Sequence, residues 1–405
     1  MSETDTGEEL HYDLIVVGLG AMGAAVALHA QQLGQHVLGI DRDDPPHEMG
    51  SSHAETRMTR LAVGEGEQYL PFVARSHEIW RELEADTGER LFYESGGCII
   101  TKPQPTDEAR WNDFVSATAK VAAQSSVAFE QISPDELRSL HPAIRVQDDD
   151  KVGLEPTGGI VMCERAIEIQ LELAAEFGAE VHTNEAVISV EPHPSGQEGQ
   201  VLVMTDRARY AADHVVLAAG PWMPELAGAA DSEQLTVTRQ VVFWFEVDDP
   251  DAFSVEDFPT VIWPGHSIDD YIGVFPIPPD GTQALKILGE QFADVTNPGS
   301  VDRTVSQTEI DKFYQTKVAP RLYGVTATCV KATVCLYTNT PDDHFFIDTD
   351  PRSDSITIMS PCSGHGFKHS AALGEAVAQQ VAIGRSDLDL NPFRRRWELL
   401  GDSET

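Results

Sequence analysis

The feature that most constrains this chain is a strand, a glycine-rich turn, a helix and a second strand near its N-terminus. Residues 14–17 are apolar throughout and run into the turn Gly18-Leu19-Gly20-Ala21-Met22-Gly23. An alanine-rich stretch, residues 24–30, predicts the helix, and residues 36–40 predict the second strand, which ends at Asp41. This order and spacing favour a parallel sheet, because the helix must pack back across both strands.

Each part of this segment has a physical role in holding a dinucleotide. Gly18 allows the tight turn, Gly20 lets the backbone approach a pyrophosphate, and Gly23 lets the helix pack on the strand. The N–H groups of the first helical turn attract the pyrophosphate, and an acid about 20 residues on accepts hydrogen bonds from a ribose. The segment therefore predicts a dinucleotide cofactor, with these binding residues: Gly18, Gly20, Met22, Gly23 and Asp41.

The charge balance excludes a nucleic-acid-binding role. The 405 residues include 28 Lys and Arg against 66 Asp and Glu, a net charge of −38, and only eight of the basic residues are Lys. A face that binds nucleic acid needs clustered basic residues. An acidic, Lys-poor surface is typical of a cytosol with molar salt, which screens repulsion between carboxylates. We therefore predict a halophilic protein, with an ordinary acidic enzyme as the alternative.

The cysteines and the hydropathy pattern indicate a reducing cytoplasm. The five cysteines are an odd number without a Cys-x-x-Cys pair, which argues against a disulfide framework and against a zinc site. No apolar run reaches the roughly 20 residues that span a membrane. Residues 2–9 are polar and acidic, unlike a signal peptide, and are expected to form a disordered tail.

The rest of the chain alternates between helical and strand-like segments. Helical patterns cover 69–84, 110–121, 165–177 and 367–383. Several strand-like runs between residues 235 and 288 predict a mostly antiparallel sheet. We therefore predict an α/β plus α+β protein. Its nucleotide-binding domain is assembled from the N-terminus, the middle and the C-terminus, and is interleaved with a β-rich second domain.

A second glycine turn, Ser363-Gly364-His365-Gly366-Phe367-Lys368, begins the last helix. The partial positive charge of a helix N-terminus would stabilise the negative charge that reduction places on a flavin. An NAD-dependent dehydrogenase has no need of a second such helix. On its own, the motif fits an ordinary turn between a strand and a helix equally well.

Seven blocks spread over nearly the whole chain carry a family resemblance. They are Asp44-Pro45-Pro46-His47, Gly50-Ser51-Ser52-His53 through Thr56-Arg57 and Arg60, Gly64-Glu65-Gly66 with Tyr69, Arg239-Gln240-Val241-Val242, Val334-Cys335-Leu336-Tyr337-Thr338, Asp342 through Phe346-Ile347-Asp348, and Ser363 to Lys368. In this order they resemble the monomeric sarcosine oxidase and N-methyltryptophan oxidase family of flavoprotein amine oxidases.

The resemblance implies the glutathione-reductase-like FAD fold with a sheet-based substrate domain. It implies FAD-binding segments at 11–93, 154–226 and 340–390, substrate-domain segments at 94–153 and 227–339, and tails at 1–10 and 391–405. The predicted domain boundaries rest on this resemblance.

The resemblance also implies a covalent FAD. In the family, the cysteine that matches Cys335 is bonded to the 8α carbon of the flavin. A thiolate is the required nucleophile, and nearby positive charge would favour it. The alternative is a small buried hydrophobe, which is the usual role of a free cysteine. Cys362, beside the closing glycine turn, is given no role.

Further site residues follow from the same resemblance. Arg60 and Lys368 match the two basic residues that hold the substrate carboxylate, since a two-pronged donor and a point charge together orient an amino acid. A surface ion pair is the alternative for these two residues, and turn hydrogen bonding is the alternative for His53 and His365. The predicted catalytic residues are Lys286, Arg57, Arg60, Lys368, His53 and His365. The predicted flavin-binding residues beyond the first glycine turn are Thr56, Arg57, Val187, Cys335, Gly364, Gly366 and Lys368.

Lys286 interrupts an apolar strand in Leu285-Lys286-Ile287. The family places a lysine here, near flavin N5, where oxygen is activated. A fixed cation would stabilise the superoxide that the first electron transfer to O₂ produces. The alternative is a lysine on an edge strand, in contact with solvent.

Substrate identity does not carry over from the family. Sarcosine oxidases have an aromatic residue and a histidine just after the lysine, whereas Ile287-Leu288-Gly289-Glu290-Gln291 contains no histidine. Tyr271 is also displaced by one position relative to Phe275-Pro276. Both positions shape the substrate pocket in the family.

We predict a cytoplasmic, monomeric, FAD-dependent oxidase of a secondary amino acid, of the sarcosine or N-methyl-L-tryptophan type. Oxidation gives an imine that water hydrolyses, and O₂ is reduced to hydrogen peroxide. The amine must bind deprotonated, which the cations Arg57, Arg60 and Lys368 favour. No nucleic acid, membrane or metal is expected as a partner. The alternatives are a pipecolate- or proline-type imino-acid oxidase, a flavin dehydrogenase that passes electrons to a carrier, and an FAD-binding protein with an inactive site.

Overall fold

The computed structural model describes residues 10–102, 113–194, 200–265 and 270–397. The expected N-terminal tail (2–9) and the first residues of the expected helix at 110–121 lie outside these ranges. The chain forms two compact units. The first unit comprises residues 1–53, 165–237 and 337–405, and the second comprises 54–164 and 238–336.

Strands and helices alternate along the described residues. The strands are β1 (Leu10–Val17), β2 (Val37–Ile40), β3 (Thr56–Thr59), β4 (Phe92–Tyr93), β5 (Gly97–Thr101), β6 (Glu130–Ile132), β7 (Lys151–Glu155), β8 (Gly159–Met162), β9 (Glu180–His182), β10 (Val187–Pro192), β11 (Val201–Thr205), β12 (Arg209–Leu217), β13 (Thr236–Val247), β14 (Thr260–Trp263), β15 (Ile272–Phe275), β16 (Leu285–Gly289), β17 (Val325–Asn339), β18 (Phe346–Asp350) and β19 (Ser353–Ser360). The α-helices are α1 (Ala21–Gln32), α2 (Leu70–Thr87), α3 (Phe114–Ser125), α4 (Pro134–Leu140), α5 (Cys163–Glu176), α6 (Met223–Leu226), α7 (Ala229–Ser232), α8 (Gln307–Phe313) and α9 (Ser370–Ile383).

The first unit is built on a sheet whose central strands are parallel. β1 pairs in parallel with β12 on one side and with β2 on the other, and β19 pairs in parallel with the end of β12. Residues 14–17 of β1, 37–40 of β2 and 215–217 of β12 are buried and carry no polar side chain, as in parallel strands covered on both faces. Helices α1 and α9 approach closely, since a Cβ on Gly374 would lie 2.3 Å from Ala25 Cβ.

The second unit is built on a mostly antiparallel sheet with the strand order β17-β13-β16-β15-β14-β5-β7-β6. Of the pairings between β13 and β6, only β14 with β5 is parallel among the described residues. A small second sheet joins β3, β8 and β4. Side chains such as Phe243, Phe245 and Val261 fill the core of this unit. The predicted fold class is therefore confirmed.

Two segments differ from expectation. β17 is a 15-residue strand that the sequence analysis did not predict, and it carries Cys335. Residues 391–397, which we expected to be part of a tail, pack within the first unit. Phe393 is buried, and Arg395 donates hydrogen bonds of 2.7 Å to both carboxylate oxygens of the fully buried Asp231. An aromatic anchor and an ion pair thus order this segment.

No helix among the described residues has both the length and the hydropathy needed to cross a membrane. The division of the chain into cofactor-binding and substrate-binding segments stays a prediction, because the two compact units do not by themselves identify which residues bind which molecule.

Candidate active site

The first glycine turn lies between the end of β1 and the start of α1. A Cβ on Gly23 would fall 1.8 Å from the Gly18 carbonyl oxygen, so α1 can approach β1 only with glycine there. At Gly20, by contrast, a Cβ would lie 3.5 Å from its nearest neighbour, Ser52 Oγ, which is an ordinary contact. Packing within the protein therefore leaves Gly20 unexplained, whereas a pyrophosphate against its backbone would require glycine.

The N-terminus of α1 has the electrostatics of an anion site. Its N-cap residue, Gly20, offers no side chain to the free N–H groups, and the first turn contains no acidic residue. Asp41 follows β2, is buried, and accepts hydrogen bonds from Leu19 N (2.7 Å) and Asp43 N (3.0 Å). Glycine backbone, helix terminus and carboxylate together fit the pyrophosphate and ribose of a dinucleotide.

The second glycine turn belongs to the same unit and precedes α9. A Cβ on Gly366 would fall 1.7 Å from the Pro361 carbonyl oxygen, so this glycine is required by the turn itself. Lys368 is only 4% exposed, and its ammonium donates a hydrogen bond to the His365 carbonyl oxygen at 3.0 Å. Because Lys368 is buried, the alternative of a surface ion pair does not fit it, and its role toward the substrate carboxylate stays a prediction.

The remaining predicted residues of the first unit have mixed surroundings. His53 is buried at 1% exposure. His365 Nε2 lies 3.1 Å from the Asp343 carbonyl oxygen, and its ring stacks on Phe345 at 4.7 Å between centroids. These are the contacts of a histidine that orders a turn, so its catalytic role stays a prediction. The flavin contacts of Met22, Val187 and Gly364 stay predictions too, as do those of Thr56, which belongs to the second unit.

Lys286 is the best-defined charged group of the second unit. It lies on a central strand, between Trp244 on β13 and Phe275 on β15, and is 3% exposed. Its ammonium donates hydrogen bonds to the carbonyl oxygens of Ala54 (2.7 Å) and Thr56 (2.5 Å). Burial, together with the nearby Arg57 guanidinium, lowers the pKa of Lys286 to about 7. The solvent-exposed alternative for Lys286 is therefore wrong.

Cys335 shares this charged environment. Its side chain is 2% exposed and packs with Trp244 and Ala54. Burial raises the pKa of the Cys335 thiol, while the charges of Arg57 and Lys286 and a hydrogen bond from Arg57 oppose that rise. Three residues far apart in sequence, Arg57, Lys286 and Cys335, are thus brought together. Burial outweighs the cations, so the pKa of the Cys335 thiol stays above its ordinary value, and the two cations only limit that rise.

Arg60 lies in the same unit and is already paired. Its Nη2 donates hydrogen bonds of 2.7 Å to both carboxylate oxygens of Glu65, and both side chains are less than one tenth exposed. Glu155 holds the backbone just beyond, accepting hydrogen bonds from Leu61 N (2.7 Å) and Ala62 N (3.0 Å). The pair is buried, unlike a surface ion pair. Because Arg60 and Lys368 belong to different units, the carboxylate clamp that they would form stays a prediction.

Three acidic residues that hold parts of this unit were missed in the sequence: Glu65, which pairs with Arg60, Glu55, which pairs with Lys331, and Glu155, which accepts from backbone N–H groups. Glu65 sits inside the family block Gly64-Glu65-Gly66, and Glu55 directly precedes Thr56, so both were within quoted motifs but were given no partner. Glu155 lies almost a hundred residues from the backbone that it holds. Only the folded chain reveals these pairings, because the fold and not the local sequence determines which group each carboxylate meets.

The comparison with family models decides the family. The model described as FAD dependent oxidoreductase matches residues 13–380, nearly the whole chain. The chain belongs to the FAD-dependent oxidoreductase family.

Relatives of this FAD-dependent oxidoreductase match over almost their full lengths. The monomeric sarcosine oxidase of Streptomyces avermitilis is 33% identical over 393 residues, which is 95% of this chain and 97% of that protein. The N-methyl-L-tryptophan oxidase of Yersinia pestis is 32% identical over 388 residues, or 95% of this chain and 98% of that protein. The predicted family is therefore confirmed, as is FAD as the cofactor.

Solved structures agree with the fold. NikD, an amino acid oxidase of nikkomycin biosynthesis, superposes with a TM-score of 0.80 at 21% identity, covering 96% of this chain and 98% of its own. The L-proline dehydrogenase of P. horikoshii gives a TM-score of 0.74 at 18% identity, covering 95% and 97%. At these identities the likeness concerns the fold alone.

Proposed function

We propose that this flavoprotein oxidises secondary amino acids of the sarcosine or N-methyl-L-tryptophan type. An N-methyl amino acid, water and O₂ would give the primary amino acid, formaldehyde and hydrogen peroxide, by way of an imine. The observation that carries the proposal is the buried cluster of Lys286, Arg57 and Cys335, at the positions that the family uses for oxygen and flavin. The names of the two sequence relatives support the same substrate class.

The residues present fit the cofactor. When bound, FAD supplies the acceptor for two electrons and a proton from the C–H bond next to the amine, and the donor for O₂. Gly20 and the N-terminus of α1 would hold the pyrophosphate, and Asp41 the ribose.

Covalent attachment through Cys335 is the second part of the proposal. It is supported by the Val334-Cys335-Leu336-Tyr337 motif and by the cations Arg57 and Lys286, which offset part of the rise in thiol pKa that burial causes. After acid denaturation, the yellow chromophore should stay with the protein. Release of all flavin into the supernatant would contradict the attachment.

Lys286 would serve oxygen. Its ammonium is held by two carbonyl oxygens, so the charge is fixed before oxygen arrives and needs no reorganisation. In a buried site such a charge acts far more strongly on an oxygen anion than it would in water. We assign binding of the substrate carboxylate to Arg60 and Lys368.

The substrate amine must lose its proton before a hydride equivalent can leave. The cations Arg57, Arg60 and Lys368, which the family resemblance assigns to the substrate, would disfavour a substrate ammonium through like-charge repulsion. Glu65 bears on binding of the substrate carboxylate, because that carboxylate would have to share Arg60 with Glu65 or displace it. The rate would come mainly from positioning and fixed charge.

A pipecolate- or proline-type imino acid is the second candidate substrate. It stays open because the segment Ile287 to Gln291 lacks the histidine found after the lysine in sarcosine oxidases, so the family's substrate pocket does not carry over to this chain. Transfer of electrons to a carrier in place of O₂ is the corresponding alternative for the second half-reaction.

The setting of the enzyme is part of the proposal. Five free cysteines support a reducing cytoplasm, the word monomeric in the relatives' names supports a single chain, and a net charge of −38 supports molar salt.

One experiment tests the function. The enzyme, in high salt and without oxygen, is mixed with N-methyl amino acids and with cyclic imino acids, and flavin bleaching is followed. We expect rapid bleaching by an N-methyl amino acid, followed by peroxide when oxygen is admitted. Faster bleaching by the imino acids would favour the second candidate, and bleaching without peroxide would favour a carrier. The absence of bleaching by any secondary amino acid would contradict the proposal.

A further inference from the structure

The turn that precedes β3 has an unusual backbone. Ala54 and Glu55 are consecutive non-glycine residues with φ of 79° and 69°, in the left-handed region that residues with a Cβ rarely adopt. Such a conformation persists only where the surrounding structure over-determines it, and it is most common at functional sites. Hydrogen bonds to the Glu55 side chain hold this turn, and the turn itself holds the Lys286 ammonium.

The Glu55 side chain anchors the turn. Its carboxylate accepts hydrogen bonds from Thr282 Oγ1 (2.6 Å) and Thr282 N (3.1 Å), and forms an ion pair of 2.9 Å with Lys331 Nζ. Its backbone N–H donates to the Glu164 carboxylate at 2.9 Å, and its carbonyl accepts from Cys163 N at 2.8 Å. Although burial alone would raise the pKa of Glu55, the bonds from Thr282 and Lys331 lower it, so the carboxylate is ionised at neutral pH.

These anchors connect the three segments that make up the cluster. Thr282 lies just before β16, which carries Lys286. Lys331 lies on β17, four residues before Cys335. The turn itself directs the carbonyl oxygens of Ala54 and Thr56 at the Lys286 ammonium. The Glu55 carboxylate thus links the strands that carry Lys286 and Cys335 to the turn whose carbonyl oxygens hold the Lys286 ammonium.

We infer that Glu55 is a positioning residue for Lys286, holding the strained turn so that its carbonyl oxygens fix the ammonium in place. The inference rests on the proposed role of Lys286 toward oxygen. The other ionisable groups facing Lys286 are Arg57, Cys335, Cys163 and Glu164, and none of them is changed in the test below.

The test uses Glu55→Gly, because glycine adopts a left-handed φ without strain and removes only the anchor. Lys331→Met is a milder second variant that breaks the ion pair and leaves both Thr282 bonds. Glu78→Gln is the matched control, since Glu78 is an exposed, ion-paired glutamate on α2 of the same unit. With eight lysines in the chain, ¹³Cε NMR can follow each ammonium, and Lys286→Met identifies the Lys286 signal.

Two readouts report on positioning. The first is the pKa of Lys286 by NMR, which should fall in Glu55→Gly by about one unit, because the ammonium loses its fixed acceptors. The second is the reoxidation of reduced flavin by O₂, which should slow by about tenfold to a hundredfold, the scale of a small misplacement of a reacting group. Anaerobic reduction by substrate should change much less. Lys331→Met should show smaller changes in the same directions.

The possible outcomes distinguish the positioning role of Glu55 from the proposed role of Lys286 toward oxygen. If Lys286→Met slows reoxidation while Glu55→Gly and Lys331→Met leave both readouts as in the control, Glu55 does not position Lys286 and the inference fails. If reoxidation is normal in Lys286→Met, the oxygen role fails, and the NMR titration alone decides whether Glu55 holds the lysine. If Glu55→Gly does not fold, an unchanged Lys286 pKa in folded Lys331→Met overturns the inference.

Discussion

The glycine turn of the first unit and the lysine cluster of the second are built in opposite ways. The glycine turn takes all its groups from one continuous segment, residues 18–41, in which strand, turn and helix fix one another. The lysine cluster takes Arg57, Lys286 and Cys335 from three distant segments and depends on the two sheets of the second unit and on Glu55 to assemble them. The first site is constrained by steric contact, and the second by charge held in a buried environment.

This difference determines how each site can be damaged. In the glycine turn, a methyl group added at Gly18 or Gly23 collides with backbone and disturbs the fold itself. In the lysine cluster, a charge can be removed with the fold intact, because Lys286 is surrounded by side chains such as Phe275 that an uncharged side chain can pack against. Substitutions in the two sites should therefore separate folding from chemistry.

The largest effect is expected within the glycine turn itself. Gly23→Ala places a methyl group 1.8 Å from the Gly18 carbonyl oxygen, so overpacking of about 1–3 kcal/mol or more should leave little folded, flavin-loaded protein. Gly20→Ala meets only Ser52 and should cost the fold less than about 1 kcal/mol, yet it should also lower flavin loading. Thermal melting and the ratio of flavin to protein absorbance measure the two effects. Normal flavin loading in Gly20→Ala would contradict the assigned pyrophosphate site.

The contrast also explains what the sequence could predict. Asp41 and the glycines of the first turn could be predicted as a dinucleotide site because their geometry is local and their spacing is diagnostic. The burial of Lys286 was not decided by Leu285-Lys286-Ile287, because that pattern fits an edge strand as well as a central one. Its position between Trp244 and Phe275 depends on strand order, which local sequence does not specify.

The side chains that hold the charged residues in place were the least predictable part of the site. The left-handed backbone at Ala54 and Glu55 is imposed by Thr282 and Lys331, more than 200 residues away, so no local pattern reveals it. The pairing of Arg60 with Glu65 is close in sequence, but a carboxylate between two glycines does not indicate which cation it meets. Fold and family were thus predictable, whereas the site residues carried over by resemblance stay predictions.

The next largest effect concerns oxygen. Lys286→Met should slow reoxidation of the reduced flavin by about 10²–10³-fold, the usual loss for one preorganised charge, and should affect anaerobic reduction much less. Lys312→Met, on the exposed face of α8, is the control and should change neither half-reaction. Stopped-flow absorbance measures both. Slower reduction with normal reoxidation would assign Lys286 to the substrate site instead.

The carboxylate clamp should give a smaller effect. Arg60→Met and Lys368→Met should each weaken substrate binding by about 1.5–3 kcal/mol, the contribution of a charged hydrogen bond, or roughly 10- to 150-fold in the dissociation constant. Glu65→Gln is the informative companion, because it removes the competitor for Arg60 and should leave binding equal or tighter. The dissociation constant comes from the substrate dependence of anaerobic reduction. Unchanged affinity in both cation variants would remove the clamp.

The pH dependence of reoxidation should follow Lys286. Its pKa of about 7 lies below the usual lysine value, so the ammonium is present below pH 7 and is lost as the pH rises through that value. Reoxidation by O₂ should therefore slow by up to about tenfold per pH unit above 7, toward the rate of Lys286→Met. Lys286→Met itself should show no such step. A rate that rises through pH 7 would mean that the neutral amine, and not the cation, serves oxygen.

The smallest effect, and the one that extends the comparison to the whole surface, is the response to salt. Exposed carboxylates repel one another over distances that molar salt screens to about 3 Å, whereas buried groups are screened much less. The melting temperature should therefore rise by several degrees from low to molar salt, since about 1 kcal/mol of stability corresponds to a few degrees in a chain of this size. The pKa of Lys286, measured in the same series, should stay constant because its surroundings exclude salt. A flat melting temperature would argue against a halophilic design. A Lys286 pKa that changes with salt would mean that the lysine cluster is open to solvent and that surface charges determine the pKa of Lys286.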